Sequence, residues 1–373
     1  MTYEIEIGRA KRAREVYSFD DVAVVPSRRT RDPELVSTAW NVDAYQFEIP
    51  VLGAPMDSVM SPETAIALGQ LGGLGVLNLE GLWTRHDNAE QLLAELSTVS
   101  DEKLAIAKMR ELYSAPIKPE LIRDRLQQIR DAGVTVAGSL SPHRTAEHCE
   151  AVINAGVDLF VIRGNTVSAE HVAEAGRESL NLKQFIYELD VPVIVGGAAT
   201  YRSALHLMRT GAAAVLVGFG GGASSTTELN LGIRAPMATA IADVAGARTT
   251  YLDESGGRYV HVIADGGLGT SGDIVKAVAC GADAVMLGSL LARAAEAPGK
   301  GWHWGQEAHH EDLPRGRRIS LDTVGPLAEI INGPSALADG TSNLMGALRR
   351  AMATTGYSTL KEFQRIELVK TSK

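Results

Sequence analysis

The chain has 373 residues, is 45% hydrophobic and 22% charged, and carries a formal net charge of −9. That length suits one large α/β core, since such barrels run past about 200 residues as a single domain. The acidic balance excludes the basic surface expected of a nucleic-acid binder. No run of about 18 apolar residues exists to span a membrane.

The N-terminal residues 1–8 lack the apolar core of a secretion signal. Two isolated cysteines, Cys149 and Cys280, point to a reducing, cytoplasmic setting rather than a disulfide scaffold. Residues 17–40 precede the first repeating unit and are expected to form a strand pair and a plug. From residue 50 one pattern recurs: a short apolar run, a polar or glycine-rich turn, a helical stretch, then a glycine. The predicted strands are 50–56, 74–78, 134–140, 159–164, 191–197, 214–219, 260–266 and 284–289. Their unbroken apolar character suits strands buried on both faces. Gly73, Gly133, Gly156, Gly211 and Gly281 are read as the left-handed caps of the preceding helices. Eight strands alternating with helices predict a (β/α)8 TIM barrel, with an open doubly wound sheet as the alternative. No internal domain boundary is evident. Residues 296–319 form a 24-residue segment rich in Gly, Pro, His and Arg. It exceeds the usual loop length of about 12–15 residues, which suggests a lid, a base-stacking loop or a subunit contact. Within it His303, Glu307 and His310 would share a face if helical, but they define no metal set. Residues 344–361 are read as a closing helix and an extended end.

In a barrel the functional groups gather where strands end. The turn Asp265-Gly266-Gly267 follows the seventh strand, and Gly288-Ser289 follows the eighth. Glycines on these two neighbouring loops let backbone N–H groups approach phosphate oxygens, and Ser289 adds a hydroxyl. Asp265 would repel phosphate but can accept from ribose hydroxyls. The sixth strand ends in Gly218-Phe219-Gly220-Gly221-Gly222-Ala223-Ser224-Ser225-Thr226-Thr227.

Several of these segments carry a family likeness. Tyr17-Ser18-Phe19-Asp20-Asp21, Ala54-Pro55-Met56-Asp57-Ser58-Val59, Ile263-Ala264-Asp265-Gly266-Gly267, Ser271-Gly272-Asp273-Ile274 and Met286-Leu287-Gly288-Ser289 resemble motifs of the IMP dehydrogenase / GMP reductase family. The likeness covers nearly the whole chain. About 55 residues separate the second and third strands, too few for the family's paired CBS module. The resemblance therefore points to a short, IMP dehydrogenase-related subfamily without it. It implies a purine nucleotide monophosphate bound through Gly222, Ala223, Asp265, Gly266, Gly267, Gly288 and Ser289. It also implies NAD or NADP near Arg163 and Asn165, a potassium ion ringed by carbonyls of Gly220, Gly222 and Ser225, and a homotetramer.

In that family a cysteine thiolate adds to purine C2, and hydride passes between C2 and the nicotinamide. Here the cysteine's position is Ser225, with Thr227 two residues on as the matching threonine. A serine hydroxyl is a weak nucleophile without a positioned base. His261 lies four residues before Asp265, about 13 Å deeper along the strand at about 3.3 Å per residue, and reads as a core histidine. Further departures fall at Arg163, where the family has an acid, at Gly197, where it has an asparagine, and at Glu228, where a base is usual. The family's Arg–Tyr flap, which activates water, finds no match. Arg163 and Glu228 are expected to pair across the barrel mouth. The expectation is an oxidoreductase of the family type with weakened catalysis, or a nucleotide-binding regulator that has lost it.

Overall fold

The computed structural model describes residues 4–164, 180–308 and 315–371. Eight parallel strands close into a barrel. They are β1 (Val51–Gly53), β2 (Leu74–Asn78), β3 (Ala137–Leu140), β4 (Leu159–Arg163), β5 (Val193–Ala198), β6 (Ala214–Val217), β7 (His261–Asp265) and β8 (Ala284–Leu287). Each falls on its predicted run: β2 matches it, β5 ends one residue beyond it at Ala198, and the other six are trimmed. The ring closes through Val285 opposite Val51, so the open-sheet alternative is excluded. Strand residues such as Val76, Phe160, Val195, Val215 and Ile263 are fully buried, as two-sided packing of a parallel barrel demands.

Helices cover the outside. Pro62–Gln70, Pro142–Asn154, Tyr201–Met208 and Ser271–Ala279 each follow a strand. Thr200 and Thr270 are N-caps that accept from the N–H groups of Ser203 and Asp273. Positive φ occurs at Gly133, Gly156, Gly211 and Gly281 as expected, but before β2 it falls on Gly72 rather than Gly73. The helix there ends one residue earlier, and Gly73 already runs into the strand. The gap between β2 and β3 is filled by three helices, Ala89–Thr98, Glu102–Ser114 and Pro119–Asp131.

The N-terminal region differs from its expectation in detail. A strand pair forms before residue 17, Glu4–Gly8 with Lys11–Arg14, and Val22–Val24 pairs with Leu368–Lys370 near the other terminus. The plug is a later hairpin, Trp40–Val42 with Tyr45–Phe47. Trp40 donates from Nε1 to the Ile49 carbonyl, and its ring meets His261 edge-on at 6.0 Å, so the hairpin seals the end where the strands begin. The closing helix is Leu344–Thr354, followed by a second short helix at Leu360–Phe363. No described helix is long and apolar enough to cross a membrane.

Candidate functional site

The strands end around a cavity of about 310 Å3. Gly222, Ala223, Ser225, Asp265, Gly266, Gly267, Gly288, Ser289 and Arg163 all line it. Thr227 sits buried just beneath, at the start of the short helix Thr227–Leu231. Asn165, proposed beside a cofactor, lies outside the described residues.

The loop after β6 is held to β7 by backbone contact. Gly218 has φ +148°, and a Cβ there would lie 1.7 Å from the Asp265 carbonyl oxygen, so only glycine lets these strand ends meet. Gly267 N–H donates to Gly221 O at 3.0 Å, which ties the serine loop to the glycine turn. The backbone N–H groups of Gly266, Gly288 and Ser289 have no acceptor among the described residues. All three residues line a cavity whose wall includes ten glycines, and exposed backbone N–H groups of this kind suit an oxyanion.

Ser225 is engaged locally. Its Oγ donates to Thr227 Oγ1 at 3.1 Å and accepts from Thr227 N–H at 3.3 Å. No carboxylate or imidazole bonds to it among the described residues. The Gly222 carbonyl accepts from Ser225 N–H at 3.0 Å, and its second lone pair leaves it able to meet a cation as well.

The expected Arg163–Glu228 pair is not formed. Arg163 donates from Nε to Asp265 Oδ2 at 2.8 Å, and Nη2 lies 3.4 Å from Oδ1. Glu228 pairs with Arg234 on its own loop at 3.1 Å. The reason is distance along the ring: β4 and β7 both end at the cavity rim, whereas Glu228 is carried outward by the short helix. Asp265 holds the Arg163 cation above its ordinary range despite burial, and Glu307 adds to the effect. Asp265 is thus already an acceptor for arginine. At Gly197 a Cβ would meet the Gly218 carbonyl oxygen at 2.3 Å, so the family's asparagine side chain has no room there.

The sequence offers a lid among the alternatives for residues 296–319 but not the partners of that segment. Trp302–His303 pairs antiparallel with Ile319–Ser320, and Gly305, Gln306 and Glu307 line the cavity. The other limb of the segment pairs with the serine loop: Ser225 bridges Gly316, Thr226 N–H donates to Arg315 O at 2.6 Å, and Arg317 N–H to Ser224 O at 2.9 Å. His303 lies in a strand, buried against Ser58, so the three-residue helical face imagined for a metal does not exist, and His310 lies outside the described residues. The segment's unusual length was the signal.

A domain model described as the IMP dehydrogenase / GMP reductase domain matches residues 16–310, spanning the barrel and the cavity loops. The chain belongs to the IMP dehydrogenase / GMP reductase family. A protein of Mycobacterium tuberculosis named as an uncharacterized oxidoreductase is 52% identical across 98% of this chain and 99% of its own. An inosine-5'-monophosphate dehydrogenase of Methanocaldococcus jannaschii is 26% identical across 94% of this chain and 92% of its own. The crystal structure of an IMP dehydrogenase/GMP reductase-like protein from Corynebacterium glutamicum superimposes with a TM-score of 0.93 at 48% identity, covering 99% of this chain and 98% of that one. Family membership accounts for the barrel and the position of the cavity.

Proposed function

We propose that this barrel is an oxidoreductase-family protein that binds a purine nucleoside monophosphate, with hydride transfer at purine C2 weakened by Ser225. The phosphate would sit on the N–H groups of Gly266, Gly288 and Ser289, with the Ser289 hydroxyl as a further donor. The base would lie toward Gly222, Ala223 and Ser225. The single observation that carries the weakened chemistry is the hydrogen bonding of Ser225: its hydroxyl is bonded to Thr227, and no base bonds it among the described residues.

A nicotinamide supplies hydride chemistry in this family. The described residue offered to it, Arg163, presents a closed ion pair with Asp265 rather than a free cation, so no hydride step is built on it. That pair favours a second reading, a nucleotide-binding regulator without turnover. Localisation in the cytoplasm and a homotetramer are carried as part of the proposal.

A thermal-shift panel of IMP, XMP, GMP and AMP, each with and without NAD(P)H, tests binding. A ligand at about 100 times its Kd adds about 2.7 kcal/mol of stability. The first reading expects nucleotide shifts and little absorbance growth at 340 nm with IMP and NAD. It further expects Ser225→Cys to recover turnover. Nucleotide shifts with a silent Ser225→Cys select the regulator. Robust wild-type turnover defeats the weakening, and a panel without shifts defeats nucleotide binding.

A further inference from the structure

The cover over Ser225 is built on the helices that occupy the gap between β2 and β3. Its Trp302 donates from Nε1 to the Ser97 carbonyl at 3.0 Å. Arg318 is buried, with its guanidinium 3.8 Å from the Trp302 ring centroid. The Arg318 fork donates to the Leu96 carbonyl at 2.9 Å and to the Val99 carbonyl, both at the C-terminal end of helix Ala89–Thr98. A cation there meets the negative end of the helix dipole. It forms no salt bridge among the described residues, so its hydrogen bonds to this helix end are what compensate its burial.

The second anchor is Trp304, which donates from Nε1 to Tyr113 Oη at 3.1 Å. Tyr113, on helix Glu102–Ser114, donates in turn to Asp57 Oδ2 at 2.5 Å, in the loop after β1. Ser58 bonds both the Trp304 backbone and His303 at 3.2 Å. In an extended chain neighbouring residues face opposite ways. Arg317 therefore bonds the serine loop through its backbone while Arg318 sends its side chain into the helices.

We propose that the two helices Ala89–Thr98 and Glu102–Ser114 are a positioning platform for the Ser225 loop, acting through Arg318 and Trp304. The cover is the rigid link between them. Arg318, Trp304 and Tyr113 are positioning residues and do not touch the cavity's ligand. The proposal rests on the nucleotide-binding reading only for what the loop serves; the link itself is a property of the free protein.

Native-state hydrogen exchange on the full chain without ligand tests it, read at the Thr226 and Arg317 amides. Arg318→Met, which removes both the fork and the cation over Trp302, should speed both amides about tenfold while Leu216 in β6 keeps its wild-type rate. Arg318→Lys should fall between. Lys108→Ala, which breaks the exposed Lys108–Glu95 pair of the same helices, should change neither amide. Wild-type rates at Thr226 and Arg317 in Arg318→Met would overturn the proposal. So would a matching acceleration at Leu216, which marks general loosening. If Arg318→Met does not fold, Tyr113→Phe carries the same decision. In a separate arm, IMP affinity by calorimetry should fall several-fold in Arg318→Met. A wild type that binds no IMP removes the nucleotide reading and leaves the exchange result standing.

Discussion

The two ends of this barrel treat a buried carboxylate in opposite ways. Below, Asp283 is almost wholly enclosed and fully satisfied: it accepts from Arg248 at 2.9 Å, Lys361 at 2.6 Å, Tyr259 at 2.9 Å, Gln364 at 2.9 Å and the Val262 N–H at 2.8 Å. Above, Asp265 has one arginine and an open cavity, and Asp57 keeps one oxygen without a partner. Burial pushes the Asp57 carboxyl up to about 6, whereas Arg248 and Lys361 hold Asp283 below its ordinary range against the same desolvation. The closed end is built to hold the barrel shut. The open end keeps Asp265 on the cavity wall, where a ligand can add to its single arginine partner.

The largest effect should come from the closed end. Asp283→Ala leaves Arg248 and Lys361 facing each other without an anion, and should cost about 3–5 kcal/mol in denaturant unfolding. Removing Arg163 as Arg163→Met should cost less, about 2 kcal/mol, because water reaches the cavity rim. Equal losses from the two variants would erase the contrast.

The next effect is in acid. His261 at the closed end and His303 under the cover are both held down to about 4 by burial. Each stays neutral in the folded protein while its unfolded form takes a proton near its ordinary value of 6.5. Each histidine should therefore cost about 3 kcal/mol as pH drops from about 6.5 to about 4, while Asp57, raised to about 6, takes its proton first in the folded protein and offsets about one of them, leaving a net loss of about 3 kcal/mol. Asp283 acts in a lower window, since a depressed carboxylate keeps its contribution until pH falls below the ordinary carboxylate range. Denaturation midpoints between pH 7 and pH 4.5 check this, and His261→Gln should remove most of the net slope. An unchanged slope would show that His261 is protonated beside Asp283, which lies 3.7 Å away.

The smallest effect should be at the serine. Ser225→Ala removes one hydroxyl bond to Thr227 and should cost about 1 kcal/mol. A much larger loss would mean that the serine is part of the fold rather than a replaceable loop hydroxyl.

Much of this was legible in the chain. The strands were readable because parallel barrel strands are buried on both faces and leave long apolar runs, as at Val191–Val195 and Ala212–Val217. Six of the eight runs were read one to four residues too long, because an apolar residue such as Phe219 is buried equally well just outside the ladder. The Asp265-Gly266-Gly267 and Gly288-Ser289 turns were legible because a backbone that must approach closely needs glycine. The charge pairing was not. Arg163 and Asp265 are 102 positions apart, and nothing local distinguishes that partner from Glu228.

By itself the sequence determined the repeat, the glycine turns and the serine at the cavity, since each rests on short-range requirements of periodicity, φ and residue type. The tertiary structure decided which charges meet, that residues 302–308 and 315–320 pair over the serine loop, and that they stand on helices between β2 and β3. Those outcomes depend on where closure of the barrel brings distant loops, and side-chain pairing across that distance leaves no period or spacing in the chain.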